Sequence, residues 1–134
     1  MGIELKFLII GLLFLLTIGA GIWLGRSGRP LNPLKFNLHK FLALGAVIFT
    51  AWQAYQMVQS AGAPVSLADL FASPGLFTFL ILATLILVIV LFATGAFLSR
   101  PKPANPSLKA IHITGTVLIA LSVSGLIYQI SGGL

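Results

Sequence analysis

A chain of 134 residues that is 58% hydrophobic and only 7% charged lacks the surface chemistry of a water-soluble domain, in which about 25% of residues carry charge. Eight Lys and Arg against two Asp and Glu give a net charge of +6, and on so apolar a chain these cations suit anionic lipid headgroups rather than nucleic acid. The lack of cysteine excludes disulfides, thiolate metal sites and the C-x-x-C-H attachment of c-type haem.

The first apolar run, Leu5 to Leu24, predicts a helix over about 5–25. It is too long for the apolar core of a cleaved signal peptide and ends in Arg26 and Arg29, so it reads as a retained helix. Asn32-Pro33 then marks a helix start, with Asn as the N-cap and Pro at the first helical position. The run Leu34 to Val58 behind it predicts a helix over about 33–59. On that helix His39, Ala43, Ala46, Thr50, Gln53 and Met57 share one stripe, at about 100° per residue. Phe41, Leu44, Ile48, Trp52 and Tyr55 form the opposite stripe. The small and polar stripe belongs inside and the bulky one against lipid, so His39 should point inward.

The middle loop carries Ser66-Leu67-Ala68-Asp69, a capping box with Asp in place of Glu. Leu67, Leu70 and Phe71 behind it would lay a short interfacial helix on the outer surface. Gly75 to Leu98 predicts a third helix over about 75–99, nearly featureless like the first, with Thr17 and Thr84 as mild polar exceptions. Asn105-Pro106 repeats the helix-start signal, and Leu108 to Ile130 predicts a fourth helix over about 106–131, with Ser131-Gly132-Gly133 as its stop. Gly115, Thr116 and Ile119 flank the face of His112, with Ser122 near its edge and Val117, Leu121 and Tyr128 opposite. Each run has the roughly 20 residues needed to cross a hydrocarbon core of about 30 Å. Backbone groups in lipid must be satisfied within their own segment, which requires helices.

The chain repeats itself. At an offset of 73, Asn32-Pro33 aligns with Asn105-Pro106, His39 with His112, and Tyr55-Gln56 with Tyr128-Gln129. At an offset of 74, Gly21-Ile22-Trp23-Leu24-Gly25-Arg26 aligns with Gly95-Ala96-Phe97-Leu98-Ser99-Arg100. The expected fold is therefore an all-α bundle of four transmembrane helices, made from a tandem two-helix repeat (about 5–60 and 75–134) with a pseudo-two-fold axis along the membrane normal. Arg26, Arg29, Lys35 and Lys40 flank the first loop, and Arg100, Lys102 and Lys109 the third, while the middle loop holds only Asp69. The positive-inside rule places the basic loops in the cytoplasm and both termini outside, in a cytoplasmic membrane.

His39 and His112 are the only histidines. Each lies six residues past its proline, about 9 Å along the helix, so both rings are expected below the headgroups at one depth. An ionisable residue within a membrane is costly and reads first as functional. A bare metal site is short of ligands, since zinc takes three or four and Glu4 and Asp69 are both expected at the other side. A haem supplies four nitrogens itself and needs one or two axial imidazoles, in their neutral form. Arg26 and Arg100, closing the first and third helices, suit haem propionates; snorkelling cations that fix topology are the plainer reading. Gly21, Gly95 and Gly115 suit the close approach of a macrocycle or of a neighbouring helix.

On four helices, His39 and His112 at one depth on alternate helices, and nearby Arg26 and Arg100, the chain resembles the four-helix membrane b-type cytochromes. These include the haem-bearing membrane anchors of respiratory dehydrogenases. The resemblance covers the whole chain in architecture, through short motifs. It implies that His39 and His112 are the axial iron ligands of one haem b, and that electrons pass to a quinone, a partner subunit or a second copy of the chain. The di-haem transmembrane cytochromes use four histidines, so this chain departs from them. Rival expectations are a cofactor-free structural or assembly subunit of a larger membrane complex and, with fewer polar residues than it needs, a small transporter. No nucleophile motif or acid beside a histidine supports a hydrolase or transferase, so no residue is assigned a catalytic role. Tyr55-Gln56 and Tyr128-Gln129 read as aromatic belts at helix ends, or with Gln53 as a quinone or small-molecule site.

Overall fold

The computed structural model describes residues 2–60, 75–100 and 102–132. Within them the chain is all-α: α1 spans Ile3–Arg26, α2 Pro33–Ser60, α3 Leu76–Leu98 and α4 Pro106–Gly132. All four are long and apolar enough to cross a membrane. The shortest, α3, has 23 residues, about 34 Å at 1.5 Å per residue. The boundaries fall within three residues of those expected from the apolar runs.

The helix starts form as the Asn-Pro pairs dictate. Asn32 Oδ1 accepts from the backbone N–H of Leu34 (3.0 Å) and Lys35 (3.2 Å), and Asn105 Oδ1 accepts from that of Ser107 (2.9 Å). Pro33 and Pro106 occupy the first helical position, where a missing N–H costs nothing. At its other end α1 stops on Ser27, whose N–H donates to Leu24 O. Gly28 follows with φ of 74°, the left-handed turn that only glycine adopts without strain. The expected capping box and interfacial helix of the middle loop lie outside the described residues, as does Gly133 of the terminal stop.

The helices divide into two compact units, Met1–Ala54 with Ser99–Pro103 and Tyr55–Leu98 with Ala104–Leu134. Among the described residues, the buried apolar ones are Ile10, Ala20, Leu24 and Ala46 in the first unit and Ile119 and Val123 in the second. These cores are thin, and the apolar bulk points outward. Phe41, Leu44, Ile48, Trp52 and Tyr55 on α2 are all exposed while Ala46 and Gln53 are buried, so the two stripes face as their chemistry requires. On α4, Val117, Leu121 and Tyr128 are exposed and Gly115 and Ile119 are buried, again as expected. Contiguous exposed Leu, Ile and Phe on helices of spanning length would aggregate in water. They form the lipid-facing surface of an integral membrane protein.

Candidate functional site

Each histidine is half-buried and bonded to the helix that precedes it in the chain. His39, on α2, has Nδ1 3.0 Å from the backbone oxygen of Thr17 on α1. A carbonyl oxygen only accepts, so Nδ1 carries the proton and donates. The ring edge lies over Gly21: a Cβ built there would be 3.0 Å from His39 Cε1. Since ordinary carbon contacts fall at about 3.5–4.0 Å, only glycine lets the imidazole sit this close to α1.

His112, on α4, has Nδ1 2.8 Å from Thr94 Oγ1 on α3. That hydroxyl reaches back to its own helix, at 2.7 Å from Val90 O and 3.2 Å from Leu91 O. With its single hydrogen committed to those carbonyls, the Thr94 oxygen accepts and His112 Nδ1 donates. This ring edge also lies over a glycine, with Cε1 3.4 Å from a Cβ built at Gly95. In both hydrogen bonds Nδ1 is therefore the nitrogen that donates.

Two of the expected glycines, Gly21 and Gly95, therefore lie under the histidines. Gly115 does something else: a Cβ there would be 3.1 Å from Leu91 Cδ2, so it seats α4 against α3. Arg26 is exposed at the last position of α1. Arg100 is also exposed, just beyond α3, and its backbone oxygen accepts from Arg29 Nη1 at 2.6 Å. Tyr55 and Tyr128 are exposed near the ends of α2 and α4, where an aromatic belt belongs.

Two features were not foreseen. Thr94, only 7% exposed, is the direct partner of His112, yet in an apolar run it resembles any threonine bonded to its own helix. Its one sequence signal is its place beside Gly95, the glycine under the ring. The second feature is a pair of orphaned oxygens on the inner stripe of α2: Thr50 Oγ1 and Gln53 Oε1 are buried and have no hydrogen-bond partner among the described residues. Thr17, Thr84, Thr94 and Thr116 all bond the carbonyl four residues back, whereas Thr50 does not.

Comparison with known protein families, curated proteins and solved structures finds no match for this chain.

Proposed function

We propose that the protein is an integral membrane b-type cytochrome in which His39 and His112 are the axial ligands of one haem b. The observation that carries this reading is the shared state of the two rings. Each donates Nδ1–H to the neighbouring helix, which makes Nε2 the nitrogen that would face an iron. Metal-bound histidines are held in this way, because the group that accepts from the other ring nitrogen fixes the tautomer and the ring plane. The donor set thus fits axial ligation, which takes neutral imidazole. When bound, a haem supplies reversible one-electron chemistry.

The other residues support that role. Thr17 O and Thr94 Oγ1 orient the rings, and Gly21 and Gly95 make room for them. Arg26 and Arg100 each stand five residues beyond one of those glycines, placed to offer charge to propionates. The apolar helices exclude water. In this reading the helices form a bundle in the cytoplasmic membrane with both termini outside and the basic loops in the cytoplasm. A quinone, a partner subunit or a second copy exchanges the electrons. Thr50 and Gln53 are the polar groups such a partner would meet, since a buried polar atom in hydrocarbon requires a hydrogen-bonding neighbour.

The same histidine bonds support a second reading, a cofactor-free subunit of a larger membrane complex. There each imidazole is glue between consecutive helices. An absorption spectrum of purified protein, oxidised and then reduced with dithionite, separates the two. The cytochrome gives a Soret band and a six-coordinate low-spin spectrum that either His39→Ala or His112→Ala abolishes. Protein that stays colourless after expression with ample haem overturns the cytochrome and leaves the structural subunit.

A further inference from the structure

We infer that the basic end of the first unit is a binding site for one anionic phospholipid, seated in a cleft of about 230 Å³ lined by Pro30, Leu31, Pro33, Phe36, Ser99 and Arg100. The inference is independent of the haem reading and rests on three observations.

The cleft is built rather than incidental. Arg29 Nη1 donates to the backbone oxygens of Arg100 (2.6 Å) and Lys102 (3.0 Å), tying the α1–α2 connection to the segment after α3. Lys35 braces the same end. Its Nζ donates to Ser27 Oγ at 2.6 Å and lies 4.4 Å from the centre of the Trp23 ring.

Its charge is one-sided. Arg26, Arg29, Lys35, Lys40, Arg100 and Lys102 all belong to this unit. Its one carboxylate side chain, Glu4, lies in the first turn of α1, and Arg26 is at the far end of that helix, about 33 Å along it. The carbonyls, hydroxyl and indole in these contacts are neutral groups that position the two cations. Positive charge at a membrane surface draws anionic headgroups.

The lining is amphipathic. Leu31, Phe36 and two prolines supply the carbon of the lining, and Arg100 and Ser99 its polar edge. A free phosphate would use only the polar edge. A phospholipid uses both parts, with its phosphate on the cations and its glycerol and upper acyl carbons on Leu31 and Phe36. The cleft lies at the start of α2 and beyond the end of α3, at the headgroup level of any membrane these helices cross.

The test uses the full chain purified in a neutral detergent, with phosphatidylglycerol, phosphatidylcholine and inorganic phosphate as probes. Native mass spectrometry reads bound lipid, and thermal melts read stability. One phosphatidylglycerol per chain should be retained, at least tenfold more tightly than phosphatidylcholine, and millimolar phosphate should not displace it. Arg29→Gln and the exposed Lys102→Gln should each weaken it about fivefold, the usual effect of one cation near an anionic surface. Lys6→Gln removes the same charge at the opposite end of α1, about 30 Å along the helix from Arg26, and should leave binding unchanged. Equal retention of the two lipids overturns the proposal, as does equal loss across all three variants, which marks diffuse attraction. Displacement by phosphate overturns it too and identifies a free-anion site. Lys102→Gln guards against a folding failure of Arg29→Gln, since Lys102 donates nothing to the strap.

Discussion

The two histidines reach the same state by different routes. His39 donates directly to a helix carbonyl, Thr17 O, whereas His112 donates to the hydroxyl of Thr94. The sequence locates the difference. At the offset that pairs Gly21 with Gly95, Thr17 corresponds to Leu91 and Ala20 to Thr94. The carbonyl that His39 meets is therefore matched by Leu91 O, and the Thr94 hydroxyl stands between that carbonyl and His112, 3.2 Å from the one and 2.8 Å from the other. The hydroxyl acts as an inserted link in the second half and is replaced by a methyl in the first. A glycine lies under each ring, but the first is packed 0.4 Å more tightly, at 3.0 Å against 3.4 Å. The direct bond, at 3.0 Å, goes with the tighter glycine contact, and the relayed one, at 2.8 Å, with the looser.

The largest effect should come from deleting the relay without deleting its volume. Thr94→Val keeps the shape but puts a methyl where the acceptor was, leaving His112 Nδ1–H facing carbon. An unmade hydrogen bond of this kind costs about 1–3 kcal/mol. It should appear as a lowered melting temperature in detergent and as loss of the hydrogen-bonded imidazole N–H resonance of His112. Thr94→Ala should cost less, because it recreates the Ala20 arrangement and lets the ring settle toward Leu91 O. If Val and Ala prove equal, the relay is not what holds His112.

Next in size is the glycine contrast. Gly21→Ala pushes a methyl to 3.0 Å from His39 Cε1. Overpacking costs about 1–3 kcal/mol, set against the roughly 1 kcal/mol that Ala gains over Gly in a helix. The net change should be a destabilisation of up to about 2 kcal/mol, with His39 displaced from Thr17 O. Gly95→Ala meets its ring at 3.4 Å, so the helix term should dominate and the variant should be as stable as the parent or slightly more so. Equal losses from the two would show that the difference in spacing has no energetic weight.

Much of this architecture is legible in the residues. The helix lengths follow from the apolar runs, their starts from Asn32-Pro33 and Asn105-Pro106, and the buried face of α2 from small residues at helical spacing. The partners of the histidines are not legible, for two physical reasons. A backbone carbonyl such as Thr17 O has no side-chain signature, and every helix position offers one. A hydroxyl in an apolar helix ordinarily bonds its own turn, and Thr94 does so while also serving His112; its second role exists only in three dimensions. Gly21 and Gly95 were visible as candidates for close approach, but not which atoms approach them. The orphaned oxygens of Thr50 and Gln53 were visible only as members of a polar stripe.

The smallest effect tests the asymmetry from the other side. Thr17 contributes to His39 through its backbone alone, and its hydroxyl is occupied by Leu13 O at 2.8 Å. Thr17→Val should therefore leave the His39 hydrogen bond intact and shift stability by no more than about 0.5 kcal/mol, the range of substitutions that touch no special feature. The contrast with Thr94→Val is the decisive comparison, since both changes swap a hydroxyl for a methyl on the helix beneath a histidine. A Thr17→Val loss as large as that of Thr94→Val would mean that the hydroxyl, not the carbonyl, orients His39. The two halves would then use one route rather than two.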